Sequence, residues 1–230
     1  MNEIIQNVPF YKRILRLLFV EKCPICREPL KGEIACCVRC QKQITDTHIS
    51  RQFIVKDKFH SHNFTCKAVY FYTTGLRKTI HTFKFRGKTV YAASLGKMMA
   101  EKAIKFNMHF DAVAFVPMTK NKLRERGYNQ AELLAKEIGN ALQIPVCEFL
   151  FKERETRFQH KLSRQERKEN VKDVFTAKDA FGKIILLVDD ICTTGLTLSA
   201  CAEALYQDGA KSVQAITAAS ASLNRVGEKR

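Results

Sequence analysis

The chain has 230 residues, 46% hydrophobic and 27% charged, which fits one well-buried core plus a small extra module and excludes two full-sized domains or a disordered chain. With 39 Lys and Arg against 23 Asp and Glu, the formal net charge is +16, so an anionic partner is expected: a phosphate-rich small molecule, nucleic acid or an anionic membrane face. No apolar run approaches the roughly 20 residues that span a bilayer, and FYKRILRLLFV, broken by Lys12, Arg13 and Arg16, lacks the small-residue cleavage site of a secretory signal.

Residues 4–20 are apolar at helical spacing, with Ile14, Leu15, Leu18 and Phe19 able to share one face. Such a helix either packs on a neighbouring module or lies on a membrane surface. Five of the nine cysteines then fall between residues 23 and 40, a clustering that favours metal ligation over disulfides and fits a reducing cytoplasm. Cys23-Pro-Ile-Cys26 and Cys37-Val-Arg-Cys40 form paired C-x-x-C turns, each able to aim two sulfurs at one tetrahedral Zn²⁺, with Gly32 between them for the reversal. Four thiolates leave no open position, so this zinc is expected to be structural. Cys36 could replace Cys37 in a C-x-x-x-C variant; the matched spacing favours Cys37. Gln41–Asn63 is polar and mixed, and its His48, His60 and His62 are expected to be exposed linker residues. The division that follows is a helix and zinc-ribbon module over 1–48 and a main domain over 65–222.

In the main domain Ala68–Tyr72 is expected as a strand, Gly75–Phe83 as a helix, and Lys84-Phe85-Arg86-Gly87-Lys88 as a turn placing cations around a glycine. Thr89–Phe106 is an amphipathic helix by spacing. Ala112–Pro117 is a buried strand stopped by proline, followed by the loop Met118–Gln130, where Lys120, Lys122, Arg124 and Arg126 crowd a strand end as an anion site would require. Ala131–Leu142 is expected as a helix and Val146–Phe151 as a strand. Lys152–Lys172 holds eight Lys or Arg against four Glu and few apolar residues, the composition of a basic lid that closes over a polyanion or of a solvated helical hairpin. Ser212–Thr217 is a final strand and Asn224–Arg230 a polar tail.

The chain is organised around Lys183–Thr197, KIILLVDDICTTGLT. Ile184–Val188 suits a strand covered on both faces. Asp189 and Asp190 stand at its carboxyl end, where open α/β sheets bind ligands, and a hydroxyl-rich turn with one glycine can converge N–H groups on an anion before the next helix. Adjacent carboxylates beside a phosphate cradle suit a sugar phosphate. The stretch resembles the signature of type I phosphoribosyltransferases, which bind phosphoribosyl pyrophosphate. That resemblance implies that Asp189 and Asp190 hold the ribose 2′- and 3′-hydroxyls, and that Cys192, Thr193, Thr194, Gly195 and Thr197 hold the 5′-phosphate. Hypoxanthine–guanine phosphoribosyltransferases carry a purine-binding aspartate where Thr193 stands here, so purine salvage of that type is disfavoured and an acceptor needing no such base is left open.

Taken together, the paired C-x-x-C module, KFRG, P-x(6)-R-x-RGYNQ, the Gln159–Val171 element and VDDICTTGLT resemble the ComF family of bacterial competence proteins. The resemblance implies an open, mainly parallel α/β sheet with flanking helices and a zinc ribbon, a cytoplasmic location or one peripheral to the inner membrane, and contact with single-stranded DNA and the DNA-uptake machinery. It places pyrophosphate at the loop beginning at Pro117, with Mg²⁺ bridging it to the ribose. Arg124 and Arg126 would serve the reacting centre beside the acid pair, and Lys84, Arg86 and Lys120 would bind the ligand's anionic groups. Two functions stay open: a DNA-uptake factor that binds phosphoribosyl pyrophosphate with or without turnover, with exposed aromatics such as Tyr128 or Phe158 for base stacking, and a metabolic phosphoribosyltransferase acting on a small acceptor. A zinc-dependent adaptor with a vestigial site is a third.

Overall fold

The computed structural model describes residues 22–30, 36–46, 48–85, 89–153 and 174–221. The helix expected over 4–20, Gly32, Arg86, nearly all of the basic stretch including Phe158, and the C-terminal tail lie outside them. In chain order the described elements are α1 (Val38–Asp46), β1 (Ile49–Lys56), β2 (Ser61–Phe71), α2 (Thr74–Phe85), α3 (Val90–Lys105), β3 (Ala112–Phe115), α4 (Lys120–Arg126), α5 (Gln130–Leu142), β4 (Leu150–Lys152), β5 (Phe175–Ala177), β6 (Ile184–Cys192), α6 (Leu196–Gln207) and β7 (Ser212–Ser220).

Five strands form one sheet in the order β1-β2-β7-β6-β3. β2, β7, β6 and β3 run parallel, and β1 is an antiparallel edge strand. Ile185 to Val188 of β6 are fully buried, as an apolar run must be when helices cover both faces of a parallel sheet. α3 and α5 pack against each other and on β2, β7, β6 and β3; α6 packs on β1, β7 and β6 with the small β4–β5 hairpin beside it. The carboxyl ends of the parallel strands therefore share one pole, which is where α2, α4 and the loop before α6 meet.

Four sequence expectations change. Gln41–Asn63 is no linker: most of α1, all of β1 and the start of β2 occupy it, so the sheet begins well ahead of Thr65. Its turn is closed by the Asp57 carboxylate, which accepts from the N–H groups of Phe59 (2.7 Å) and His60 (2.6 Å). His62 lies 2.7 Å from Asp57, holding that carboxyl down at about 2, and its ring stacks on Tyr206 at 3.9 Å; only His48 and His60 are exposed. The loop Met118–Gln130 contains α4, started by the Thr119 hydroxyl accepting from Lys122 N–H and ended by Gly127 at φ 78°. KNKLRER buries no side chain, so it has no apolar period to betray a helix. Val146–Phe151 divides into a single bridge from Val146 to Val113 and the separate strand β4. Finally β6 runs on to Cys192, so both acids lie within it.

Candidate functional site

The first candidate centre is the cysteine cluster. A turn over residues 24–26, closed by a bridge between Lys22 and Pro29, presents Cys23 and Cys26. The start of α1 presents Cys37 and Cys40. The four sulfurs lie within 4.8 Å of one another, with Cys26 Sγ and Cys37 Sγ 3.6 Å apart, the separation expected of thiolates about 2.3 Å from a shared tetrahedral ion. The alternative ligand is engaged elsewhere: Cys36 Sγ donates to Gln41 Oε1 at 3.0 Å. The cluster is compatible with a zinc ribbon. It is also part of the core, since Ile25 and Cys40 are buried in it and the Ile25 carbonyl presses on Gly75 of α2 so closely that a Cβ there would overlap it.

The second centre is built on β6. Asp190 is buried and ion-paired with Lys84 at 2.6 Å; Lys84 comes from the last turn of α2. Burial alone would depress the ammonium, but Asp190 and Asp189 outweigh it and raise the Lys84 pKa above its ordinary value. Asp189 Oδ1 accepts from the N–H of Asp190 at 2.8 Å. Burial, and then the charge of Asp190, push the Asp189 carboxyl up to about 8. The pair thus shares one lysine and holds a proton at neutral pH, as closely spaced carboxylates do.

Beyond Cys192 the chain turns through Thr193, Thr194 and Gly195 into α6 and leaves a small, open hollow lined by Asp189 and residues 191–198. Gly195 has φ 84°, and a Cβ on it would land on the Phe53 ring, so only glycine suits both the backbone and the contact. Arg51, two residues before Phe53 on β1, grips the same loop from behind. Its guanidinium donates to the carbonyls of Cys192 (3.4 Å), Thr193 and Thr194 (3.2 Å), and to Cys192 Sγ at 3.3 Å. The Cys192 thiol consequently faces the interior; contact with the Cys66 thiol, opposed by burial and aided by Arg51, brings its pKa below the ordinary value.

The cation-rich element is tethered to the same pole. Asn129 donates to Val116 O at 3.0 Å and accepts from Ala131 N–H at 3.0 Å, which fixes the start of α5 against the end of β3. Tyr128 is half-buried with its hydroxyl on the Phe83 carbonyl of α2, so it is a clamp and not an exposed stacking platform. Arg126 donates to Gln130 Oε1 at 3.2 Å and lies over the Phe85 ring, close enough for its charge to act on Lys84. Lys120 and Arg124 are exposed on α4, and neither pairs with the two acids among the described residues. Sequence reasoning missed Arg51 and Phe53. Their signal was the alternation of ISRQFIVK, which sets an arginine on the same face as Ile49, Phe53 and Val55.

Comparison with known proteins bears on this geometry. The phosphoribosyl transferase domain family matches residues 126–229, the span that holds Arg126, the acid pair and the loop. The DNA utilization protein YhgH of Salmonella typhi is 29% identical over 150 residues, 62% of this chain and 66% of that protein. The competence protein ComFC of Bacillus subtilis is 29% identical over 210 residues, 85% of this chain and 76% of that protein. These relatives are named as competence and DNA utilization proteins, and the matched span is similar to the phosphoribosyl transferase domain, set here in a mostly parallel sheet with flanking helices. Among solved structures, glutamine phosphoribosylpyrophosphate amidotransferase from B. subtilis is 26% identical over 54% of this chain and 25% of that one, with a TM-score of 0.39. No helix among the described residues is long and apolar enough to cross a membrane.

Proposed function

We propose that this chain is a ComF-family protein that binds phosphoribosyl pyrophosphate with Mg²⁺ and couples that binding to the handling of single-stranded DNA. The observation that carries the reading is the placement, on consecutive residues of one strand and its loop, of a lysine-paired acid pair and a hydroxyl-lined hollow at a helix start. Asp189 and Asp190 accept hydrogen bonds from the ribose 2′- and 3′-hydroxyls. The loop from Cys192 to Thr197 takes the 5′-phosphate through backbone N–H groups and the hydroxyls of Thr193, Thr194 and Thr197. Lys84, Arg126 and, from the exposed side of α4, Lys120 and Arg124 serve the pyrophosphate, with Arg86 supplying the KFRG turn's cation. The hard oxygen donors of the acid pair suit Mg²⁺, which when bound supplies neutralisation of the departing pyrophosphate charge.

In the same reading Cys23, Cys26, Cys37 and Cys40 hold a structural Zn²⁺, and the surplus of 16 positive charges meets the DNA backbone without regard to sequence. Residues 1–48 form the zinc-bearing module and the domain from about residue 49 onward carries the ligand site, in the cytoplasm or at the inner face of the membrane beside the uptake machinery.

Equilibrium binding of phosphoribosyl pyrophosphate with Mg²⁺ tests the core of this. Wild type should bind and Asp190→Asn should bind about 100-fold more weakly; no binding by wild type sinks the reading. Pyrophosphate release is then followed with nucleobases, simple amines and single-stranded DNA as acceptors. Release dependent on one small acceptor would make the protein a metabolic phosphoribosyltransferase, and binding without release marks a ligand-controlled DNA factor. DNA affinity should fall steeply with added salt, and salt-independent affinity would refute the backbone-contact part.

A further inference from the structure

The phosphate loop owes its shape to a residue outside the loop and outside the family signature. A trans peptide unit points its C=O and the following N–H in opposite directions, and the described residues contain no cis bond. The carbonyls of Thr193 and Thr194 turn to the Arg51 guanidinium, as does that of Cys192, which also accepts from the Ala221 N–H just past β7 at 3.0 Å. The N–H groups of Thr193, Thr194 and Gly195, which belong to those same three peptide units, must therefore face away from Arg51. No protein acceptor meets these three donors among the described residues, although the first N–H of α6, that of Leu196, is taken by Thr194 Oγ1 at 3.5 Å. The Cys192 carbonyl has a second donor in the Ala221 N–H, whereas among the described residues those of Thr193 and Thr194 accept from Arg51. A guanidinium, with five N–H groups in a fixed plane, can serve all three at once.

The support behind the arginine is built as carefully as the contact in front. Arg51 lies over the Phe53 ring at 5.2 Å, and that ring in turn fills the space over Gly195 and stacks on Phe64 at 5.4 Å. Arg51 is held in register opposite Cys66 of β2, so its base is fixed by the sheet and not by the loop.

We infer that Arg51 is a positioning residue that, by gripping the Thr193 and Thr194 carbonyls beside the Cys192 carbonyl that Ala221 also holds, keeps three successive backbone N–H groups outward as the cradle for a phosphate monoester. This rests on the ligand reading given above, and it places the determinant of the 5′-phosphate subsite on the edge strand, 141 residues ahead of the first carbonyl it grips. Its charge also stands directly behind the cradle, adding to the field that a dianionic phosphate meets.

The test compares wild type with Arg51→Met and Arg51→Lys, using three probes: ribose 5-phosphate, phosphoribosyl pyrophosphate with Mg²⁺, and inorganic pyrophosphate with Mg²⁺. Arg51→Met should weaken the first two by the same factor, on the order of 30-fold for the loss of charge-assisted hydrogen bonds, and leave the third unchanged. Arg51→Lys, a point charge without the planar fork, should lie between. Backbone order parameters at Thr193–Gly195, measured by nitrogen relaxation without ligand, should fall from about 0.85 to below about 0.6 in Arg51→Met. Equal binding of ribose 5-phosphate by all three proteins with unchanged loop order parameters would overturn the inference. If wild type binds none of the probes while the order parameters still fall in Arg51→Met, the ligand reading fails and the role of Arg51 in shaping the loop stands. If Arg51→Met does not fold, Arg51→Lys decides: an unaltered ribose 5-phosphate affinity and unaltered order parameters overturn the proposal.

Discussion

The cysteine cluster and the acid pair both crowd groups that repel one another once ionised, and the protein meets the two problems with different means. In the cluster, four sulfurs within 4.8 Å come from two short turns less than twenty residues apart, and the spacing itself calls for a divalent ion. In the acid pair, a lysine from the far end of α2 supplies the counter-charge and a retained proton supplies the rest. The first arrangement is one that a metal ion can complete. The second is provisional, because a lysine and a proton can both give way when a ligand brings Mg²⁺ and hydroxyl donors.

The largest effect should come from breaking the first region. Cys40→Ser, or a strong chelator, should remove about one zinc per chain and lower the melting temperature by about 10 °C or more, because the cluster is part of the core and metal binding is folding energy here; thermal melts with parallel metal analysis check this. A smaller loss is expected at the second region, and it should appear in binding more than in folding. Asp190→Asn should weaken phosphoribosyl pyrophosphate by about 100-fold, read by calorimetry, with only a modest drop in stability from the lysine left beside a neutral amide.

Lys84→Met sharpens the contrast. It leaves Asp190 buried without its cation, at a cost of about 2 kcal/mol in urea unfolding, and millimolar Mg²⁺ should restore part of that loss if the site is built to exchange one cation for another. No such rescue is expected in Cys40→Ser. The remaining effect is a matter of pH. Asp189 has a folded-state pKa raised to about 8 from an ordinary value of 3.8, so below pH 4 both folded and unfolded chains hold the proton. Between pH 4 and 8 the unfolded chain has lost it while the folded chain keeps it, so stability falls as pH rises through that window. Asp189→Asn should therefore melt above wild type by a margin that grows from pH 5 to pH 8, and a margin independent of pH would contradict the assignment.

The two regions also differ in how much of each is legible in the sequence. Paired C-x-x-C spacing names its own geometry because each turn is local, and the preference for Cys37 over Cys36 follows from matched spacing; the structure adds the reason, a Cys36 thiol already donating to Gln41. The run from Ile184 to Val188, the acid pair and the glycine turn are likewise visible, since a doubly covered strand needs a continuous apolar run and a left-handed turn needs glycine. The seven-residue helix α4 is not, because a helix that buries nothing carries no apolar period. Neither is β1, whose alternation is obscured by an arginine on its inner face.

What the sequence by itself determined is the chemistry available: four sulfurs at metal-ligand spacing, two adjacent carboxylates, a glycine turn and a large positive charge, all set by local covalent order. What only the tertiary structure decided is which distant groups answer them. Lys84 reaches Asp190 because α2 ends at the carboxyl pole of the sheet, and Tyr128 clamps that helix end instead of facing solvent. Arg51 reaches three loop carbonyls because an antiparallel edge strand returns to the same pole. These pairings depend on strand order and register, which arise from burying the sheet on both faces and leave no mark in the spacing of the residues they join.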